Sequence, residues 1–265
     1  MKKIMSFAGS LSGFFALLLL FSFHTGSALA QGEYYQIKIY QLKTPEQEAR
    51  VDKFLQNAFI PAMHRAGVGQ VGVFKPLSND TAAIRRVYVF MPFSSLDQWT
   101  KTQEKLEKDQ KLASDGADYV DAAHTDPPYL RIESILLHAF TGMPRHAVPD
   151  LKGPKNERIY ELRSYEGATE KKYANKVDMF NKGDEVGLFK RLGFNAVFYA
   201  EVISGNHMPN LMYMTTFDNM TTHDQHWKSF GDDPYWKKLV AMPEYQNNVS
   251  HADIVLMHPT EYSEL

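Results

Sequence analysis

The sequence predicts an α+β fold built from two tandem ferredoxin-like units, on three observations. Lys38-Ile39-Tyr40-Gln41-Leu42-Lys43 returns as Arg158-Ile159-Tyr160-Glu161-Leu162-Arg163. The echo continues, with Phe74 answering Phe198, Phe93 answering Phe217, Asp109 answering Asp233, and Leu136-Leu137-His138 answering Leu256-Met257-His258. Each half also carries hydrophobic patterning in the order strand, helix, strand, strand, helix, strand, which is the ferredoxin-like order.

In the first half, Tyr35 to Leu42 is a β-branched and aromatic run and reads as a strand. Thr44-Pro45 then supplies an N-cap and a proline in the first turn. Val51, Phe54, Leu55, Ala58, Phe59, Ala62 and Met63 recur at helical spacing and form one apolar stripe that Gly67 ends. Strands follow over Val71 to Lys75 and Ile84 to Phe93, then a second helix from Ser94-Ser95 to about Val120. Tyr129 to Phe140 is the last strand. The segment Gly142 to Asn156, with Pro144, Pro149, Gly153 and Pro154, reads as a linker. The first unit thus covers residues 31–141 and the second residues 157–265. The second repeats the order: strand Glu157 to Tyr165, helix Thr169 to Arg191, strands Asn195 to Ser204 and Leu211 to Phe217, helix Asp218 to about Leu239, and strand Asp253 to His258. Asp233-Pro234 marks a break and restart in the last helix.

Residues 1–30 read as an export leader. Lys2 and Lys3 precede an apolar stretch from Leu11 to Phe23, and Ala28-Leu29-Ala30 offers small residues for cleavage before Gln31. The stretch is too short for a comfortable membrane span, so a periplasmic or secreted protein is expected, with no stable span after cleavage. The formal net charge is −2, which gives no basic field for nucleic acid. There is no cysteine, which excludes disulfides, thiol catalysis and thiolate metal sites. No glycine-rich phosphate loop or nucleophile-elbow serine occurs. No cofactor and no metal are expected.

Four ordered blocks in the second half resemble the NIPSNAP family: Arg158 to Tyr165, Leu188 to Phe194, Pro209 to Met214, and Trp227-Lys228-Ser229-Phe230 followed by Asp233-Pro234-Tyr235-Trp236. The first half resembles it only in its opening strand and spacing, having Asp109-Gln110 in place of Asp-Pro and Leu112 in place of Trp236. The resemblance implies a dimeric α/β barrel, here closed by two units of one chain. The wider superfamily contains cofactor-free oxygenases, isomerases and haem enzymes, while the NIPSNAP branch has no settled activity.

Strand alternation puts Ile159, Glu161, Arg163 and Tyr165 on one face, and Asn195, Val197, Tyr199 and Glu201 on one face of the next strand. Glu161, Arg163, Tyr199 and Glu201 are therefore expected to line a polar ligand pocket. Arg163 would hold an anionic or carbonyl group while Glu161 or Glu201 moves a proton. Solvated ends or ion pairs at the unit interface are the structural alternative. His223 and His226 share a helix face at metal-ligand spacing without a nominated third ligand. His138 and His258 end equivalent strands and suit a satisfied structural role better than a haem-ligand role. Trp99, Trp227 and Trp236 fall at helical positions where core packing explains them. Two function classes follow: an exported module binding a small ligand or a partner protein, also compatible with a homo-oligomer, or a cofactor-free oxygenase or isomerase.

Overall fold

Alternation of inward and outward side chains lets eight antiparallel strands close on themselves in the computed structural model, which describes residues 32–265. The leader read in residues 1–30 lies outside the described residues. The strands are β1 (Tyr34–Leu42), β2 (Gly72–Pro76), β3 (Arg85–Phe93), β4 (Arg131–Ala139), β5 (Ile159–Glu166), β6 (Asn195–Ser204), β7 (Asn210–Phe217) and β8 (His251–Pro259). Around the barrel they run β4-β1-β3-β2 and then β8-β5-β7-β6, so one ferredoxin-like order follows the other. Two seams join the halves. At one, β2 meets β8 through Phe74–Pro259 and Lys75–His258. At the other, β4 meets β6 through His138–Glu201 and Ala139–Ala200. The fold is thus a dimeric α/β barrel made by one chain.

The helices cover the outside of the barrel, and each long helix expected from the sequence is broken. The first is α1 (Pro45–Phe54) and α2 (Ile60–Ala66), joined by a π-helical turn over Leu55–Phe59. Pro61 lacks an N–H and its ring crowds the preceding turn, which the wider π turn accommodates. The second is α3 (Leu96–Glu107), α4 (Gln110–Asp115) and α5 (Ala117–Val120). The third is α6 (Glu170–Asn181) and α7 (Glu185–Arg191). Between them Asp184 is left-handed (φ 53°), and a Cβ on Gly183 would lie 2.5 Å from the Met179 carbonyl oxygen. The fourth, α8 (Met220–Asp232) and α9 (Pro234–Val240), breaks at Asp233 as the sequence predicts. No helix among the described residues is long and apolar enough to cross a membrane.

The barrel interior is packed. Tyr35, Phe74, Phe90, Tyr160, Phe198, Leu162, Met212, Met214 and Met257 are buried in one cluster. The segment between β4 and β5 has no helix or strand, but it is not a passive connector: Leu151 joins this core together with the C-terminal Leu265. Arg158 Nε pins the segment by donating to the Gly153 carbonyl (2.9 Å), and Lys155 Nζ donates to the carbonyls of Glu261 and Ser263 (2.8 and 2.7 Å). The other end of the barrel opens as a mouth bordered by Ile39, Tyr88, Ile135 and Leu162.

The repeated hexapeptide does not mark equivalent positions. Ser95 and Asn219 cap α3 and α8, which makes Phe93 the counterpart of Phe217. Across the ladders these pair with Tyr34 and Ile159, and Thr44 and Thr169 cap α1 and α6. Both pairs give an offset of 125 (Tyr34 to Ile159), whereas the hexapeptides are offset by 120 (Lys38 to Arg158). The difference of five is odd and reverses the face: Tyr160 packs inside the barrel, while Tyr40 packs under the helices. The counterparts of Glu161, Arg163 and Tyr165 are therefore Gln36, Lys38 and Tyr40, not the Gln41 and Lys43 that the sequence echo suggested.

Candidate functional site

Odd-numbered residues of β5 face α6 to α9, outside the barrel, and there the chain builds a second polar layer. Glu161 is 1% exposed and has two sets of donors. Arg163 Nε and Nη2 reach its Oε1 at 2.8 and 2.7 Å, and Trp227 Nε1 donates to Oε2 at 2.6 Å. The Arg163 guanidinium carbon lies over the Trp227 ring, 3.7 Å from its centroid, a cation–π contact strengthened by partial desolvation. Its Nη1 donates to Tyr165 Oη (3.0 Å), which is hydrogen-bonded to Tyr213 Oη (2.9 Å). Burial opposes the Arg163 charge, yet Tyr213, Tyr165 and Glu161 hold its pKa above the ordinary value. Burial pushes the Tyr213 hydroxyl pKa well up, so it stays a neutral phenol.

Arg163 and Tyr165 stand on the wall of a cavity of ≈ 370 Å³ between the β5–β7–β8 sheet and the helices. The opposite wall carries Trp236, Phe230 and a buried ion pair, Lys176 Nζ to Glu185 Oε2 at 2.8 Å. Lys176 also sits 4.6 Å above the Phe180 ring. Val240, Val249 and Ile254 line the cavity and expose much of their surface. An aromatic chamber with one fixed guanidinium, one ammonium–carboxylate pair and an apolar rim suits a planar molecule with an acidic oxygen.

The four residues expected to line a pocket do share the helix-facing side of the sheet, but only Arg163 lines this cavity. Glu161 stands behind it as an anchor for Arg163 and Trp227. Tyr199 is 1% exposed and packs on Tyr213 (centroids 5.5 Å) and Phe189, in the core beneath the helices. Glu201 accepts from Tyr173 Oη at 2.8 Å. A bulge between Ala196 and Phe198 breaks alternation, so Val197 turns into the barrel core and leaves the face of Tyr199. None of the four faces the barrel interior, which takes Tyr160 and Leu162 from β5 and Phe198, Ala200 and Val202 from β6.

Sequence reasoning missed Lys176 and Glu185. Lys176 lies three residues after Tyr173 and four before Phe180, within the apolar stripe of α6, and a lysine there was the available signal. Trp227 and Trp236 were read as core packing, and they do pack, on Phe230; their second role needed the fold. His223 Nε2 is buried and without a hydrogen bond, 3.4 Å from Glu161 Oε2. His226 Nδ1 donates to the Thr222 carbonyl (2.7 Å), so the two imidazoles have separate partners. His258 Nδ1 likewise donates to the Arg158 carbonyl (2.8 Å), and the His138 ring packs on Tyr34.

In the first half the same space is filled. Tyr40 meets Tyr119 and Tyr129 at 6.4 and 6.0 Å, and Tyr119 stacks on Phe54 at 3.7 Å. Gln36 replaces Glu161 and accepts from Trp99 Nε1 at 3.2 Å.

Fold and site together define a dimeric α/β barrel whose second half holds a polar, aromatic chamber under its helices. Two solved structures share the fold over most of their length. A candidate monooxygenase of Fusobacterium nucleatum subsp. nucleatum ATCC 25586 has 7% identity and a TM-score of 0.59, over 86% of this chain and 93% of that one. Another, from Lactobacillus acidophilus NCFM, has 14% identity and a TM-score of 0.53, over 86% and 94%. A NIPSNAP family protein of Agrobacterium tumefaciens str. C58 aligns at 19% identity over 43% of this chain and 99% of its own, with a TM-score of 0.36. No curated protein matches the chain in sequence. The NIPSNAP family model matches residues 160–264, within the second half of the chain.

Proposed function

We propose that the second unit binds a small planar molecule bearing an acidic or carbonyl oxygen, in the cavity between its sheet and its helices. The observation that carries this reading is Arg163. Glu161 and Trp227 fix its guanidinium at the cavity wall, and it faces aromatic rings without filling the space between them. Holding the cation in place beforehand lowers the ordering cost of binding. A suitable probe is 8-anilinonaphthalene-1-sulfonate, which combines a flat apolar body with an anionic group. Arg163→Ala should weaken its binding by at least about tenfold, the loss of one charge-assisted hydrogen bond. Equal affinity for wild type and Arg163→Ala in a fluorescence titration would contradict the assignment.

The Lys176–Glu185 pair, facing the same cavity, favours a second reading: a cofactor-free oxygenase. Glu185 would take a proton from an acidic aromatic substrate, and Arg163 would hold the resulting anion. The anion would then give its electrons to O2, one oxygen atom ending as a carbonyl and the other as water. The two long barrel relatives described as candidate monooxygenases are alike in fold. Oxygen uptake with a hydroxylated polycyclic substrate, lost in Glu185→Gln, would select this reading over binding alone.

The setting we propose is outside the cytoplasm. Lys2, Lys3, the Leu11 to Phe23 stretch and Ala28-Leu29-Ala30 support it. N-terminal sequencing of the exported protein should begin at Gln31, and a retained Met1 would overturn it.

A further inference from the structure

The open mouth of the barrel carries a second constellation, separate from the Arg163 cavity. Glu166 ends β5, two residues beyond Ser164 and on the same side of the strand. Across the ladder it faces His251, the first residue of β8, and Asp253 follows two places on. His207 comes from the turn between β6 and β7, and its Nδ1 lies 2.8 Å from Glu166 Oε1. His251 Nε2 lies 3.2 Å from Asp253 Oδ1. One donor atom each of Glu166, His207 and Asp253 lie within 4.8 Å of one another.

We propose that these residues bind a divalent transition-metal ion, with Glu166, His207 and Asp253 as ligands and His251 as the neighbouring fourth donor. An ion about 2.0–2.2 Å from nitrogen and oxygen donors needs those donors roughly 3–4 Å apart. Small side-chain rotations at this exposed rim supply that spacing. Imidazole with carboxylate selects zinc, cobalt, nickel or manganese rather than calcium or magnesium. Charge points the same way. Among the described residues no lysine or arginine pairs with Glu166 or Asp253, whose partners are His207 and His251. Beside the group lies a cavity of ≈ 320 Å³ that reaches down to Leu162, Met212 and the buried Asn210, with His207 and Asp253 on its rim. The ion would keep one side open to that space.

The test is titration of the untagged protein with Co2+, followed by visible absorption, with Zn2+ as competitor. One equivalent should bind, and His207→Ala and Asp253→Asn should each weaken binding by at least about tenfold. His124→Ala, an exposed histidine remote in sequence, should leave it unchanged. Circular dichroism shows that each variant is folded; these are surface positions. Absence of Co2+ binding, or equal affinity in wild type and His207→Ala, overturns the proposal. Neither result touches the Arg163 cavity, whose probe carries no metal.

Discussion

Trp227 holds the candidate site from two sides, donating its indole N–H to Glu161 and carrying the Arg163 guanidinium on its ring. Trp227→Phe keeps a ring and removes the donor, leaving a buried carboxylate short of one partner. A loss of about 1–3 kcal/mol in unfolding free energy is expected from urea denaturation, and an unchanged midpoint would argue that Glu161 is satisfied without it. Lys176 poses the same problem with the opposite charge. Glu185→Ala strands a buried ammonium and should destabilise by roughly 3–5 kcal/mol, whereas Lys176→Met with Glu185→Leu should be far milder, because the desolvation penalty disappears with both charges. Glu33 gives the pH dependence. Burial pushes its carboxyl pKa up, but hydrogen bonds and charge from His146 hold it below the usual 4.5. A depressed acid stabilises the fold above its unfolded pKa and loses that contribution as pH falls through the folded value. The stability difference between wild type and Glu33→Gln should therefore shrink below about pH 4.5 in denaturation at stepped pH; a constant difference would assign it to packing.

At the scale of elements, caps were legible and register was not. Asp233-Pro234 announces its helix break in the sequence. Asp109 has no proline after it, yet it breaks its helix in the same manner. It accepts from the N–H groups of Lys111 and Leu112 (2.9 Å each) and pairs with Arg65, as Asp233 pairs with Arg191. Capping chemistry, rather than proline, sets the boundary. The hexapeptide echo misled because similar residues suit either side of a strand buried on both faces, so composition carries no parity there. The grouping of Glu161 with Arg163 needed only alternation and was readable. That Arg163 lines a cavity while Glu161 stands behind it depends on where α8 places Trp227, and no local pattern encodes that.

For the whole molecule, closure is the main consequence. Each half lends two edge strands to the other, β2 and β4 from the first, β6 and β8 from the second. Residues 157–265 alone would expose the edges of β6 and β8, which invites pairing. That fragment should form a dimer by light scattering, closing a barrel with its own copy; a folded monomer would show that the seams are dispensable. The halves are asymmetric, filled by Tyr119 in one and open at Arg163 in the other, and the proposed ligand site rests on that difference. The three tryptophans report on this separately: Trp227 and Trp236 line the cavity, and Trp99 lies under the helices of the first half. In a 15N NMR titration with 8-anilinonaphthalene-1-sulfonate, the indole N–H signals of Trp227 and Trp236 should shift while that of Trp99 stays fixed. Equal movement of Trp99, or binding that leaves Trp227 and Trp236 unmoved, would contradict a ligand site at Arg163.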